Sequence, residues 1–315
     1  MVKAEKAGRA RERSRWRMRA WRNRYIYLMI LPVLIYFIVF KYLPMGYLSM
    51  SFFDYKLLKG FAGSNFVGFK HFITFVNGMN FSRTIWNTVA LNLLSIIFVF
   101  PSAIVLALLL NEVANAKIKR TIQTVTYMPY FISTVVFVGM INSFLSPSLG
   151  LLGVLYRALG QTPPYLLGDP SQFRGINVVS GIWQTAGWNS VVYLSAITAI
   201  DPTLYEAATV DGAGRFRRIW HITLPGIKQT IIILLILRIG DLLGANFEKV
   251  LLLQNDLNLS VSELLPTYIY KVGMVQGKYS FSAAVGLFNA VVSLMLVLVA
   301  NYASKKLSSD TKAIF

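Results

Sequence analysis

The sequence predicts an all-α polytopic membrane protein with six transmembrane helices. Of its 315 residues, 55% are hydrophobic and only 14% charged, against about 25% charged in a soluble globular domain. Mean hydropathy is +0.55. Six apolar stretches each reach the roughly 20 residues that a helix needs to cross a bilayer. This composition excludes a disordered chain, a collagen and a coiled coil. The net charge of +18 would suggest nucleic acid in a soluble protein. Here ten of the 31 Lys and Arg residues fall within residues 1–24, just before an apolar run. Charge at that place sets membrane topology.

The first span, residues 25–50, opens with YIYLMILPVLIYFIVF. Residues 1–24 form a basic cytoplasmic segment, with Trp16 and Trp21 at headgroup level. That segment is too long for a signal peptide, and no small-residue cleavage site follows it. The second span is 85–110, and the third is 122–145, which contains Pro129. The fourth is 176–200, the fifth 229–252 and the sixth 281–302, so the membrane domain covers 25–302 and a cytoplasmic tail covers 303–315. Twenty Lys and Arg fall in 1–24, 111–120, 201–228 and 303–315, against eight in 51–84, 146–175 and 253–280. The bias places both termini in the cytoplasm, as an even span count requires.

The chain lacks the parts of a catalyst. It has no cysteine, which excludes disulfides and thiolate chemistry. Its two histidines, His71 and His221, lie far apart in sequence. There is no P-loop, H-E-x-x-H or G-x-S-x-G. The stretch 273–279, GMVQGKY, misses the phosphate-loop spacing and its terminal Ser or Thr. No catalytic or metal-ligating residue is expected, and another chain must supply the energy for any work done.

Residues 201–226 read DPTLYEAATVDGAGRFRRIWHITLPG. Asp201 suits a helix N-cap and Pro202 the first helical position. A helix from 202 to 210 would be ~13 Å long, too short to span a bilayer. Gly212 can end it in the left-handed conformation. Leu204, Ala207 and Ala208 make one small apolar face, beside which Glu206 offers a charge. Leu224-Pro225 would close the loop and begin span five.

The pattern E-A-A-x3-G-x9-I-x-L-P is met in full by Glu206, Ala207, Ala208, Gly212, Ile222, Leu224 and Pro225. Seven fixed letters at roughly 5% each give a chance match on the order of one in a billion per start position. This loop resembles the EAA loop of permease subunits from bacterial binding-protein-dependent ABC importers. Asp211-Gly212-Ala213 looks like the carbohydrate-type branch. So do Phe66-Val67-Gly68-Phe69, Asn87-Thr88, Leu108-Leu109-Leu110-Asn111-Glu112-Val113, Tyr127-Met128-Pro129 and Ala300-Asn301-Tyr302. The resemblance implies a type I ABC importer permease fold in a bacterial inner or plasma membrane. It also implies that the loop docks as a coupling helix into a cytoplasmic ATPase subunit. Glu206, Ala207, Ala208, Asp211, Gly212, Ile222, Leu224 and Pro225 would carry that coupling. The partners it implies are a second homologous permease, two ATPase subunits that hold ATP and Mg, and an extracytoplasmic solute-binding protein. This chain would need no cofactor of its own.

Polar groups inside spans are costly and often functional. Span four offers Trp183, Gln184, Trp188 and Asn189, and span three offers Tyr127 and Tyr130. Aromatic rings pack on the apolar faces of sugars, and amides read hydroxyls. Helix packing explains the same residues. Span five carries Arg238 and Asp241, whose i, i+3 spacing allows an intrahelical ion pair. A pore-facing Arg238 would favour acidic sugars. The function expected is half of the pore of an ATP-driven importer for oligosaccharides or complex carbohydrates. The alternatives are the same permease class carrying another solute, an ion-coupled secondary transporter, or a membrane enzyme. A secondary transporter would show inverted repeats and broken helices, and the sequence displays neither.

Overall fold

Helices make up nearly all the regular structure in the computed structural model, which describes residues 21–244 and 246–307. Most of the basic N-terminal segment and of the tail lies outside the described residues. The chain divides into two compact units, Met1–Gly68 and Phe69–Phe315.

In the first unit, α1 (Arg24–Phe37) runs on through a π-helical turn, Ile38–Tyr42, and a 3-10 turn, Gly46–Phe52. The 29 residues Arg24–Phe52 are long and apolar enough to cross a membrane. An antiparallel hairpin follows, β1 (Phe53–Lys56) with β2 (Gly60–Phe66), in register Phe53↔Phe66 and Asp54↔Asn65. Gly60, at φ +59, begins the return strand. The ring of Phe61 meets those of Tyr47, Phe53 and Tyr55.

The second unit begins with α2 (Lys70–Val76) and α3 (Asn80–Leu94). A π turn at Ser95–Val99 joins α3 to α4 (Phe100–Glu112), and Asn80–Glu112 is again of span length. α5 (Ala116–Tyr127) starts where the Asn115 side chain accepts from the Lys117 and Ile118 amides. α6 is Thr134–Leu145 and α7 is Leu151–Ala158. α8 (Pro170–Thr198) is a single helix of 29 residues, capped by Asp169 accepting from the Ser171 amide. α9 (Pro202–Val210) and α10 (Arg215–Arg218) precede α11 (Lys228–Gly240). Then come α12 (Phe247–Leu253), α13 (Leu259–Ser262), α14 (Leu265–Tyr270) and α15 (Tyr279–Leu307).

Within lipid, helices gain little from water exclusion against one another, so close packing holds them together. α4 lies along α8 because Ala103 and Ala107 present almost no side chain. Tyr193, Ile197 and Ile227 fill the seam between them. Gly187 of α8 sits against the Thr126 carbonyl, where a Cβ would overlap the backbone. A second apolar cluster joins Leu91, Phe137, Phe173 and Val250, and a third joins Phe75, Leu265 and Val285.

Among the described residues, three helices are long and apolar enough to cross a membrane, or five if each of two bent pairs is one span. Two of the expected spans are broken. In the third, Ala116–Phe131 meets Thr134–Leu145 at 100°. Pro129 lacks an N–H, the turn tightens to 3-10 at Met128–Phe131, and the Ser133 hydroxyl recaps the chain. The fifth, expected to be continuous over 229–252, stops at Gly240 and resumes at Phe247. Asn246 adopts φ 64, a left-handed backbone that a helix cannot contain. These breaks correct the expectation of unbroken spans. The fourth expected span is α8, whose Asn, Gln and Ser residues keep it below the hydropathy of the others.

Candidate functional site

Two regions gather the residues singled out in the sequence. The first is the loop 201–226. The Asp201 side chain accepts from the Thr203 amide at 2.9 Å, and this hydrogen bond holds the Asp201 carboxyl below its ordinary pKa. At the other end of α9, the Gly212 amide donates to the Thr209 carbonyl at 3.1 Å and the Ala213 amide to that of Ala208 at 2.8 Å. Gly212 lies at φ +74. This pairing of bonds is a Schellman cap, which stops the helix sharply. α9 buries none of its residues, and Glu206 and Ala207 are exposed.

The return limb clamps α9 at two points. The Tyr205 hydroxyl meets the buried Thr223 hydroxyl at 3.0 Å, and Arg218 donates to Thr209 Oγ1 at 3.1 Å. Ile222 ends in a π turn, Ile219–Thr223, and Leu224 and Pro225 form the next turn. Arg215–Gly226 then meets α11 at 60°. A Cβ on Gly226 would come within 2.6 Å of Ile200 Cδ1, so the Ile200 side chain packs over this glycine at the corner.

The second region is a cavity of about 410 Å³ among α4, α8 and α11. Gln184 and Asn189 line it from α8, and Arg238 and Asp241 from the end of α11. Thr185, another polar residue of span four, lines it too, and residues that sequence reasoning passed over complete it: Ser95 of the π turn, Asn177 of α8, then Asn246 and Lys249 beyond the break. Asn246 is fixed by its amide, which donates to Asn92 Oδ1 at 3.0 Å. Lys249 falls within the expected fifth span, and a cation at that place was the signal available.

Trp183, Trp188, Tyr127 and Tyr130 do not line this cavity. Trp183 stacks on Phe137 with centroids 5.3 Å apart, and Trp188 on Tyr130 at 4.9 Å and 8°. The span-four candidates are thus divided, with Trp183 and Trp188 in packing and Gln184 and Asn189 at the cavity. The expected Arg238–Asp241 ion pair is also absent among the described residues. Asp241 is the C-cap of α11, its amide still donating to the Leu237 carbonyl at 3.2 Å, and its carboxylate lies beside Gly244, where a Cβ would come within 2.8 Å of Oδ1.

Sequence reasoning also missed a polar clamp beyond the cavity. Arg83 pairs with Glu263. The Asn87 amide donates to the Ser260 carbonyl at 2.9 Å, while its oxygen accepts from Arg174 at 3.1 Å. The Leu265 amide donates to Thr88 Oγ1 at 2.8 Å. Among the described residues, no group of three or more His, Cys, Asp or Glu could hold a metal ion.

The family described as binding-protein-dependent transport system inner membrane component matches residues 78–309. Protein LplB of Bacillus subtilis strain 168 is 44% identical over 295 residues, 94% of this chain and 93% of its own length. The polygalacturonan/rhamnogalacturonan transport system permease protein YteP of the same organism is 45% identical over 299 residues, 95% and 93% of the two chains. A chain in the crystal structure of a bacterial alginate ABC transporter, in complex with alginate pentasaccharide-bound periplasmic protein, superposes with a TM-score of 0.86. It is 40% identical, with 94% of this chain and 99% of that one covered.

Proposed function

The chain belongs to the family of binding-protein-dependent transport system inner membrane components, and we propose that it forms half of the pore of an importer for acidic oligosaccharides. It is a permease subunit of an ABC importer for carbohydrates, and the ATPase activity resides on another chain. Acidic substrates are favoured by Arg238 in the cavity and by the alginate and polygalacturonan named for its relatives.

The observation that carries the mechanism is α9, a short exposed helix capped at both ends and clamped to the entry of α11. A rigid body of that kind passes on displacement instead of absorbing it. It docks, through Glu206 and the small face of Ala207 and Ala208, on a cytoplasmic ATPase subunit. ATP and Mg bind there, not on this chain. Asp211 and Gly212 fix the stop of the helix, and Ile222, Leu224 and Pro225 carry its movement into α11. A second homologous permease completes the pore, and an extracytoplasmic solute-binding protein delivers the sugar. ATP closes the ATPase pair and opens the pore outward, and hydrolysis resets it. The six spans, with α8 as the fourth, leave both termini in the cytoplasm of a bacterial inner or plasma membrane.

The test is uptake into proteoliposomes that hold the two permeases and the ATPase, with the binding protein outside. Uronate oligomers should enter only with internal ATP and external binding protein. Uptake driven by a sodium or proton gradient without ATP would replace this reading by a secondary transporter. ATP-driven uptake of neutral oligomers alone would remove the acidic preference.

A further inference from the structure

Lys249 is 6% exposed, yet among the described residues no carboxylate lies within ion-pair distance of it. The other charged side chain that is buried among the described residues, Glu263, has its partner in Arg83. The Lys249 ammonium instead donates to the main-chain carbonyl of Asn177 at 2.8 Å and stands 5.8 Å from the centre of the Phe137 ring. One side of it faces Gly181, where even a Cβ would approach Nζ only to 3.5 Å. Gly181, Asn177 and Lys249 all line the cavity that holds Arg238. The Asn177 Oδ1 atom is buried and accepts no hydrogen bond.

An ammonium has three donors, and one carbonyl uses one of them. A buried cation without a counter-ion is costly, and so is a buried acceptor without a donor. Both lacks meet at one wall of the cavity. The cavity's formal charges are Arg238 and Lys249 against Asp241 alone. A carboxylate entering there would supply the missing counter-ion, and a neighbouring hydroxyl would supply the missing donor. A uronate residue carries both groups on one ring.

We propose that Lys249 is a charge-specificity residue of the permease itself, which with Arg238 receives the carboxylate of a uronate unit while Asn177 Oδ1 takes a hydroxyl of the same sugar. This inference rests on the reading of the chain as an acidic-oligosaccharide permease. It places selection for charge inside the membrane, in addition to any made by the binding protein.

The experiment uses the full importer in proteoliposomes, with the binding protein saturated in turn by matched uronate and neutral trisaccharides. The variants are Lys249→Met, which keeps the apolar stem, and Lys249→Arg. Lys249→Met should lower uronate uptake about tenfold while neutral uptake holds, and Lys249→Arg should restore most of the difference. Equal loss for both sugars in an assembled complex would make Lys249 a packing residue and overturn the proposal. So would unchanged uronate uptake. A measurement on the unmodified complex stands beside the variants. Uronate trimer should shield Lys249 from reductive methylation, read by mass spectrometry, and neutral trimer should not. Equal shielding by both, or by neither, rejects the carboxylate contact. If the unmodified importer takes up no uronate, the acidic-substrate reading itself fails, which is distinct from a variant that leaves uronate uptake intact.

Discussion

Arg83 and Glu263 lie 180 residues apart in sequence and close an ion pair in which the glutamate is 8% exposed and the arginine 41%. The pair ties the start of α3 to the segment between α13 and α14. Around it, Asn87 and Thr88 of α3 hold the same segment through the Ser260 carbonyl and the Leu265 amide. One helix face thus carries a row of polar side chains that all serve a single loop.

Removing one partner should therefore cost more than removing both. Arg83→Ala strands a carboxylate that is nearly buried, and should destabilise the solubilised complex by about 1–3 kcal/mol. Arg83→Ala with Glu263→Gln should recover most of that loss. Thermal unfolding of the two purified complexes checks it. Equal destabilisation by the single and double variants would show that the pair itself contributes little.

The cap of α9 gives a prediction about coupling. No atom stands within 4 Å of a Cβ built on Gly212, so a substitution there acts through the backbone alone. A β-branched residue held at positive φ costs about 1–2 kcal/mol. Gly212→Val should lower substrate-stimulated ATPase activity and uptake together, while the subunits still copurify. Glu206→Ala should weaken ATPase docking with the membrane domain unchanged. Normal uptake in both variants would detach the loop from coupling.

At the other end of α9, the sign of the pH effect follows from the Asp201 carboxyl. Its lowered pKa means that the ionised form is the one that caps the helix. The contribution is complete above the ordinary carboxylate range, near 3.9, and disappears as pH falls through the lowered value. Protection of the Thr203 amide from hydrogen exchange, corrected for intrinsic rate, should stay constant from pH 7 to 5. Asp201→Ala should abolish that protection at every pH.

The cavity and the aromatic stacks separate by the readout they move. Gln184→Ala should reduce uptake while assembly and melting temperature hold. Trp188→Ala should do the reverse, because its stack on Tyr130 braces the corner at residues 128–133. Loss of the stack alone is worth about 0.5–1.5 kcal/mol. Stable Trp188→Ala complexes that lose transport would return the tryptophan to the sugar path.

Arg238 and Asp241 face a common cavity without a hydrogen bond or ion pair between them among the described residues. Arg238→Ala with Asp241→Ala should accordingly assemble, and should lose uronate uptake about tenfold more than neutral uptake. Recovery of full uronate uptake in the double variant would discard a pore role for Arg238.

The all-α membrane class and the α9 loop were legible because each has a local cause. Hydrophobic runs announce helices in lipid, and Asp201, Pro202 and Gly212 act on their own neighbours in the chain. The break at 241–246 was not legible, because nothing within 229–252 forbids a helix as Pro129 does in span three. Its left-handed Asn246 is held by Asn92, from a distant helix. The division of Trp183 from Gln184 depended likewise on Phe137, which only the folded chain brings alongside. Lys249 was visible as a charge within the expected fifth span, but not as the neighbour of Asn177.

The π turn at Ser95–Val99 bears on how this protein can change over generations. Such a turn holds one residue more than the regular helix around it. Deleting a single codon there would restore ordinary winding and leave the flanking turns in phase, because the wide turn absorbs its extra residue locally. Ala103 and Ala107 would stay in the seam with Tyr193, and the change would fall on Ser95 and Val99 in the cavity wall. A one-residue deletion in the regular turns on either side would instead rotate everything beyond it by about 100° and take the alanines out of the seam. Lineages descending from this chain should therefore tolerate a change of length between Asn80 and Glu112 only at this turn.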